Sequence, residues 1–130
     1  MGEHQAAREQ IELALASDLR QFGPDHPNVA LRRSNLAIIL GDLGEHQAAR
    51  EQIEQALASD LRQFGPDHPE VATDRSNLAT ILRGLGEHQA AREQIEQALA
   101  SDSRQLGPDH PDVALRRSTL ANILGDLGEH

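Results

Sequence analysis

Gly44–Leu85 reads GEHQAAREQIEQALASDLRQFGPDHPEVATDRSNLATILRGL, and nearly the same block also fills Gly2–Leu43 and Gly86–Leu127. A fourth copy starts at Gly128 and stops after His130. The chain therefore reads as a single repeat array over residues 1–130, with units at 2–43, 44–85 and 86–127 and a partial fourth at 128–130. A fixed period between about 20 and 50 residues marks a solenoid, in which no unit can bury its apolar face alone.

Within the middle copy, Ala49, Ile53, Ala56, Leu57, Leu61 and Phe64 recur at spacings of three and four. That spacing predicts one amphipathic helix over 45–64, with its other positions filled by good helix formers. Gly65 supplies a left-handed residue to close it. His68 precedes a proline, which pushes it to extended geometry, and Pro69 suits the first helical position of the next helix. Glu70 and Asp112 follow at the positive helix end. This second helix is predicted over Pro69–Leu85, matching Pro27–Leu43 and Pro111–Leu127, and Val29, Leu36, Ala37, Leu40 and Leu43 form its apolar face in the first copy. Gly44 ends it. The pattern repeats three times with no strand signal. The helix before each Gly-Glu-His turn is called A here, and the helix after it B.

Composition narrows the function. The net charge is −9, and all twelve basic residues are Arg. Nucleic acid and anionic membrane would repel such a chain. Cysteine is absent, which removes disulfides, thiolate chemistry and Cys-ligated zinc and fits a reducing, cytoplasmic setting. No run is long enough to span a membrane, and no signal peptide is visible at the amino terminus. The exclusive use of Arg over Lys hints at a GC-rich genome or an engineered gene.

The A helix, its turn and the first half of the B helix resemble a tetratricopeptide repeat. Leu36, Ala37 and Leu40 match the family's first-helix positions, Gly44 its turn glycine, and Ala49, Ile53 and Ala56 its second-helix positions. The period, the Gly-Pro-Asp-His-Pro loop and the Ser-Asn-Leu-Ala segment are similar to the repeats of kinesin light chain and its bacterial relatives. The sequence departs from the pattern in two places. His4, His46 and His88 stand where an aromatic is usual, and Arg33, Arg75 and Arg117 where a Trp is usual. The resemblance implies an all-α fold, a right-handed α-solenoid of stacked antiparallel helix pairs, whose A helices line a concave groove for extended peptides. In this phase the chain holds two A–B hairpins, Pro27–Phe64 and Pro69–Leu106, with a B helix before them and an A helix after. It is expected to be a segment of a longer array or a consensus-like design.

The copies differ mainly on the A helix, at positions that mostly fall along one face. The candidate groove residues are Leu31, Thr73 and Leu115; Arg32, Asp74 and Arg116; Asn35, Asn77 and Thr119; Ile38, Thr80 and Asn122; and Asp42 and Arg83. Two explanations stand: a recognition surface diversified on a constant scaffold, or drift on a solvated face. The B helix also has a large exposed face yet barely varies, which leans against pure drift. An Asn amide both donates and accepts. By the resemblance, Asn35 and Asn77 match an Asn that pairs with peptide backbone, and Thr119 breaks the match in the third copy. Arg33, Arg75 and Arg117 could clamp a carboxylate, but burial of their stems along the packing seam is the better account. Arg32, Arg83 and Arg116 nearly cancel Asp42, Asp74 and Asp126, so charge selects no ligand.

Chemistry is not encoded. The His residues recur with the repeat and lack a two-His helical spacing, so they read as capping or packing groups rather than metal ligands. Ser34, Ser76 and Ser118 have no partner base repeated with them, and no phosphate loop is present. The expectation is a non-catalytic scaffold with no cofactor and no metal, presenting its groove to a peptide or protein partner. The alternative is a self-assembling segment that associates head-to-tail through its terminal helices.

Overall fold

A computed structural model of the chain describes residues 2–128. Among these are six α-helices and no strand. They are α1 (Gly2–Phe22), α2 (Pro27–Asp42), α3 (His46–Phe64), α4 (Pro69–Gly84), α5 (His88–Leu106) and α6 (Pro111–Asp126). The even-numbered helices are A helices and the odd-numbered ones B helices. Of the partial fourth copy only Gly128 lies within the described residues.

The helix ends follow local chemistry. His26, His68 and His110 each sit in extended geometry as N-caps, and each Nδ1 accepts from the backbone N–H two residues on at 3.1 Å. That satisfies one of the free donors of the first turn, and the proline beside it has no donor to satisfy. Gly65, at φ +84°, lets the chain leave α3 in a conformation that a Cβ disfavours. Each A helix stops one residue earlier than predicted: Leu43, Leu85 and Leu127 are its C-caps, and Gly44, Gly86 and Gly128 turn into the left-handed region directly after them.

The apolar stripe predicted for α3 needs one correction. Ala49, Ile53, Ala56 and Leu57 are buried, but Phe64 is exposed and stacks on His68 with centroids 4.2 Å apart. Phe22 and His26 do the same. The aromatic therefore braces the interhelix loop instead of filling the core. The core itself runs as a ribbon through the stack, with Val29, Val71, Val113, Ile53, Ile95 and Ile123 fully shielded from solvent.

α2 with α3, and α4 with α5, form the most extensive contacts, each as an antiparallel hairpin closed by a Gly turn. Successive A helices also come within close backbone reach, α2 with α4 and α4 with α6, whereas the backbones of α1 and α3, and of α3 and α5, do not. The backbones of successive A helices therefore approach one another more closely than those of successive B helices. Ion pairs that recur along the sequence clip neighbouring copies together. Arg8–Glu45 and Arg50–Glu87 lie at 2.5 and 2.8 Å, and Arg62–Asp25 and Arg104–Asp67 at 2.8 and 2.9 Å.

Candidate functional site

Between α2 and α4 lies a cleft of about 240 Å³, lined by Ala37, Ile38, Gly41, Asp42, His46, Asn77, Thr80 and Ile81. Four of the sequence-predicted groove residues meet here: Ile38, Asp42, Asn77 and Thr80. Asn77 is half-buried, and nothing among the described residues hydrogen-bonds to its amide. Thr80 turns its hydroxyl onto its own helix, donating to the Ser76 carbonyl at 3.3 Å. Thr119 does likewise to Leu115 at 3.2 Å, so the third copy presents no free amide at this position.

His46 was not among the predicted residues. Its ring lies against Gly84, where an added Cβ would meet the imidazole Cε1 at 2.7 Å, and its Nδ1 is buried with no partner. In the other copies an aspartate occupies the position of Gly84. His4 Nε2 lies 3.5 Å from Asp42, and His88 Nδ1 lies 3.5 Å from Asp126. The copies differ at position 84, where the carboxylate opposite the histidine is missing. That difference was the available signal that His46 faces the cleft.

Leu31, Ile38 and Leu115 are exposed apolar side chains on the A helices. Leu31 lines a second cleft of about 200 Å³ with Pro27, Asn28, Asp60, Phe64 and Glu70. Asn35 is half-buried, while Thr73 and Asn122 are exposed. Arg83 is committed to Asp126 on α6, which it holds below the usual carboxylate range through their hydrogen bond.

The column of Arg32, Asp74 and Arg116 departs from expectation. Asp74 and Arg116 are 1% and 7% exposed and belong to the packing frame, not to an open groove. Arg116 Nε donates to Asp102 at 2.9 Å, and its Nη1 to Ser76 at 3.3 Å. Arg32 Nε donates to Asp18 at 3.0 Å. Asp74 stands where those arginines stand, and it faces Asp60. Burial, and then Asp60, push the Asp74 carboxyl up to about 9. Ser34 donates to its Oδ1 at 2.9 Å, and its Oδ2 is buried without a partner.

Arg33 and Arg75 are half-buried and donate to Gln52 and Gln94 at 3.0 and 3.1 Å; burial lowers the pKa of both. These two heads are engaged with the neighbouring B helix, whereas Arg117, the third of the set, is exposed. Among the described residues no group of His, Asp and Glu side chains is arranged to hold a metal ion, and no helix is long and apolar enough to cross a membrane.

The model of the tetratricopeptide repeat matches residues 1–62, 58–104 and 76–130. No curated protein matches the chain. Among solved structures it is similar to a Podosopora anserina protein assigned to the kinesin light chains, with nearly identical TPR-like repeats. That similarity has a TM-score of 0.92 at 26% identity, over 98% of this chain and 61% of that one. BtubC (BKLC) from P. vanneervenii is similar at a TM-score of 0.89 and 25% identity, over 98% of this chain and 51% of that one. The chain thus spans about half to three fifths of the length of these structures.

Proposed function

Since the chain belongs to the tetratricopeptide repeat family, whose members are in general protein-interaction scaffolds and generally not catalysts, we propose that its A helices bind an extended peptide segment of a partner protein. The observation that carries this reading is the cleft between α2 and α4. It combines an apolar wall at Ile38, a carboxylate at Asp42 and the unengaged amide of Asn77. An amide in that position can donate to and accept from a peptide backbone whatever its side chains. Screening a peptide library on the immobilised chain tests it. Captured peptides should bind Asn77→Ala at least about ten-fold more weakly, the worth of a hydrogen bond with one partner left unmade. Unchanged binding would place the site elsewhere.

A second reading, head-to-tail self-association, has support of its own. On α6, Ala114 and Ala121 are exposed and Leu120 and Leu124 half-buried, whereas Ala30, Ala37, Leu36 and Leu40 of α2 are all buried. On α1, Ala7, Ile11 and Ala14 are half-buried, whereas their counterparts Ala49, Ile53 and Ala56 of α3 are fully covered. These two stripes match the surfaces that α2 and α3 bury against each other. An α6-to-α1 contact between chains would repeat that packing as a heterologous, open-ended joint. Sedimentation velocity should show mass rising with concentration. A strict monomer at the highest concentration tested would remove this reading.

A further inference from the structure

The middle copy lacks a cation that its sisters hold. In the first copy Asp18 receives the Arg32 guanidinium, and in the third Asp102 receives that of Arg116, at 3.0 and 2.9 Å. The equivalent carboxylate, Asp60, is 4% exposed, and position 74 offers it another carboxyl group instead of a guanidinium. Asp74 Oδ2 is itself buried without a partner. An aspartate is also shorter than an arginine, and at this level the second cleft opens, with Asp60 in its wall, Leu31 and Phe64 as apolar flanks and Glu70 beside them. Asp60 is thus left with the neutral, protonated carboxyl of Asp74 as its donor where its sisters hold a full cation, and a guanidinium is the stronger partner for a carboxylate.

We propose that this cleft takes the guanidinium head of an arginine from the bound peptide segment, with Asp60 as its principal carboxylate partner. The aliphatic stem lies along Leu31 and Phe64, as snorkelling side chains do. The planar fork of arginine suits the site better than lysine, since two sister sites already hold a guanidinium in the same setting. The inference rests on the groove reading, but it assigns a position and a charge that the Asn77 cleft does not.

The test uses the 130-residue chain and N-acetyl-arginine amide, followed by amide chemical shifts. Saturable shifts are expected at Leu31, Asp60, Phe64 and Asp74, with N-acetyl-citrulline amide, the neutral isostere, producing none. Asp74→Arg supplies the guanidinium from within the chain, as Arg116 does, and should weaken arginine-amide binding at least ten-fold while the variant stays folded. No shift with arginine amide, equal shifts with citrulline amide, or unchanged binding by Asp74→Arg would each overturn the proposal. Shifts at the same amides on concentrating the chain alone would make the arginine a second copy's and remove the peptide assignment. Library peptides captured through Asn77 alongside a silent arginine probe would leave the groove reading standing and this inference overturned. Arginine-amide capture with no library peptide captured would leave the cleft an arginine site but overturn its assignment to a groove-bound peptide.

Discussion

Asp74→Asn should abolish a loss of stability, on the order of several kcal/mol, that the unaltered chain undergoes as pH rises from about 4 to about 9. In the folded chain Asp74 keeps its proton up to about 9, because it is buried and faces Asp60 on α3, with Glu70 nearby on its own helix. In the unfolded chain it releases that proton near the ordinary 3.8. Between those values the unfolded state binds fewer protons, so stability falls with pH. It is fully present below the lower value and spent above the higher one. Asparagine copies the protonated acid: its carbonyl oxygen can accept from Ser34, its amide can donate to Asp60, and position 74 no longer titrates. Urea unfolding at a series of pH values should show a falling free energy for the unaltered chain and a nearly level one for the variant. Parallel slopes would exclude Asp74 as the titrating group.

Arg116→Ala is expected to lose about 3–5 kcal/mol, and Arg32→Ala about 1 kcal/mol or less. Both arginines donate through Nε to an aspartate on the preceding B helix at nearly the same distance. They differ in depth. The side chains of the Arg116–Asp102 pair are 8% and 4% exposed, and those of Arg32–Asp18 35% and 12%. Arg116 is covered by α4, whose Ser76 accepts its second hydrogen bond, while Arg32 has no equivalent contact among the described residues. Removing the deeper arginine strands a buried carboxylate, and removing the shallower one leaves a carboxylate that water can reach. Side-by-side unfolding of the two variants isolates burial as the variable. Equal losses would mean that depth does not set the worth of this pair.

The frame was legible because the copies agree on it. Ile53, Ala56 and the His68-Pro69 cap could be read from spacing and backbone chemistry alone, and they stand where expected. The column of position 74 was misplaced for a geometric reason. It follows position 73 by one residue, a rotation of about 100° around the helix. Thr73 is exposed, while that rotation turns Asp74 onto the neighbouring B helix. Phe64 continued a core period to its end, but the loop ring of His68 offered it a nearer surface. His46 was hidden by its constancy: the histidine is the same in every copy, and what changes is Gly84 opposite it. Asn77 and Thr80 were legible as neighbours because they share one helix face, and the facing residues Ile38 and Asp42 became so once α2 packed beside α4.

Near-identical hairpins give a folding chain more than one way to pair, and misassembly of this kind is characteristic of repeat proteins. α4 offers α1 almost the same apolar surface as α2 does. If α2 and α3 looped out, Asp18 would meet Asp74 in place of Arg32, carboxyl against carboxyl. If α4 and α5 looped out, Asp60 would meet Arg116 and gain the cation it lacks in the native order. One substitution in one copy thus acts as an address label, discouraging one mispairing and inviting another. Refolding errors should therefore gather on the carboxy-terminal side of the middle copy.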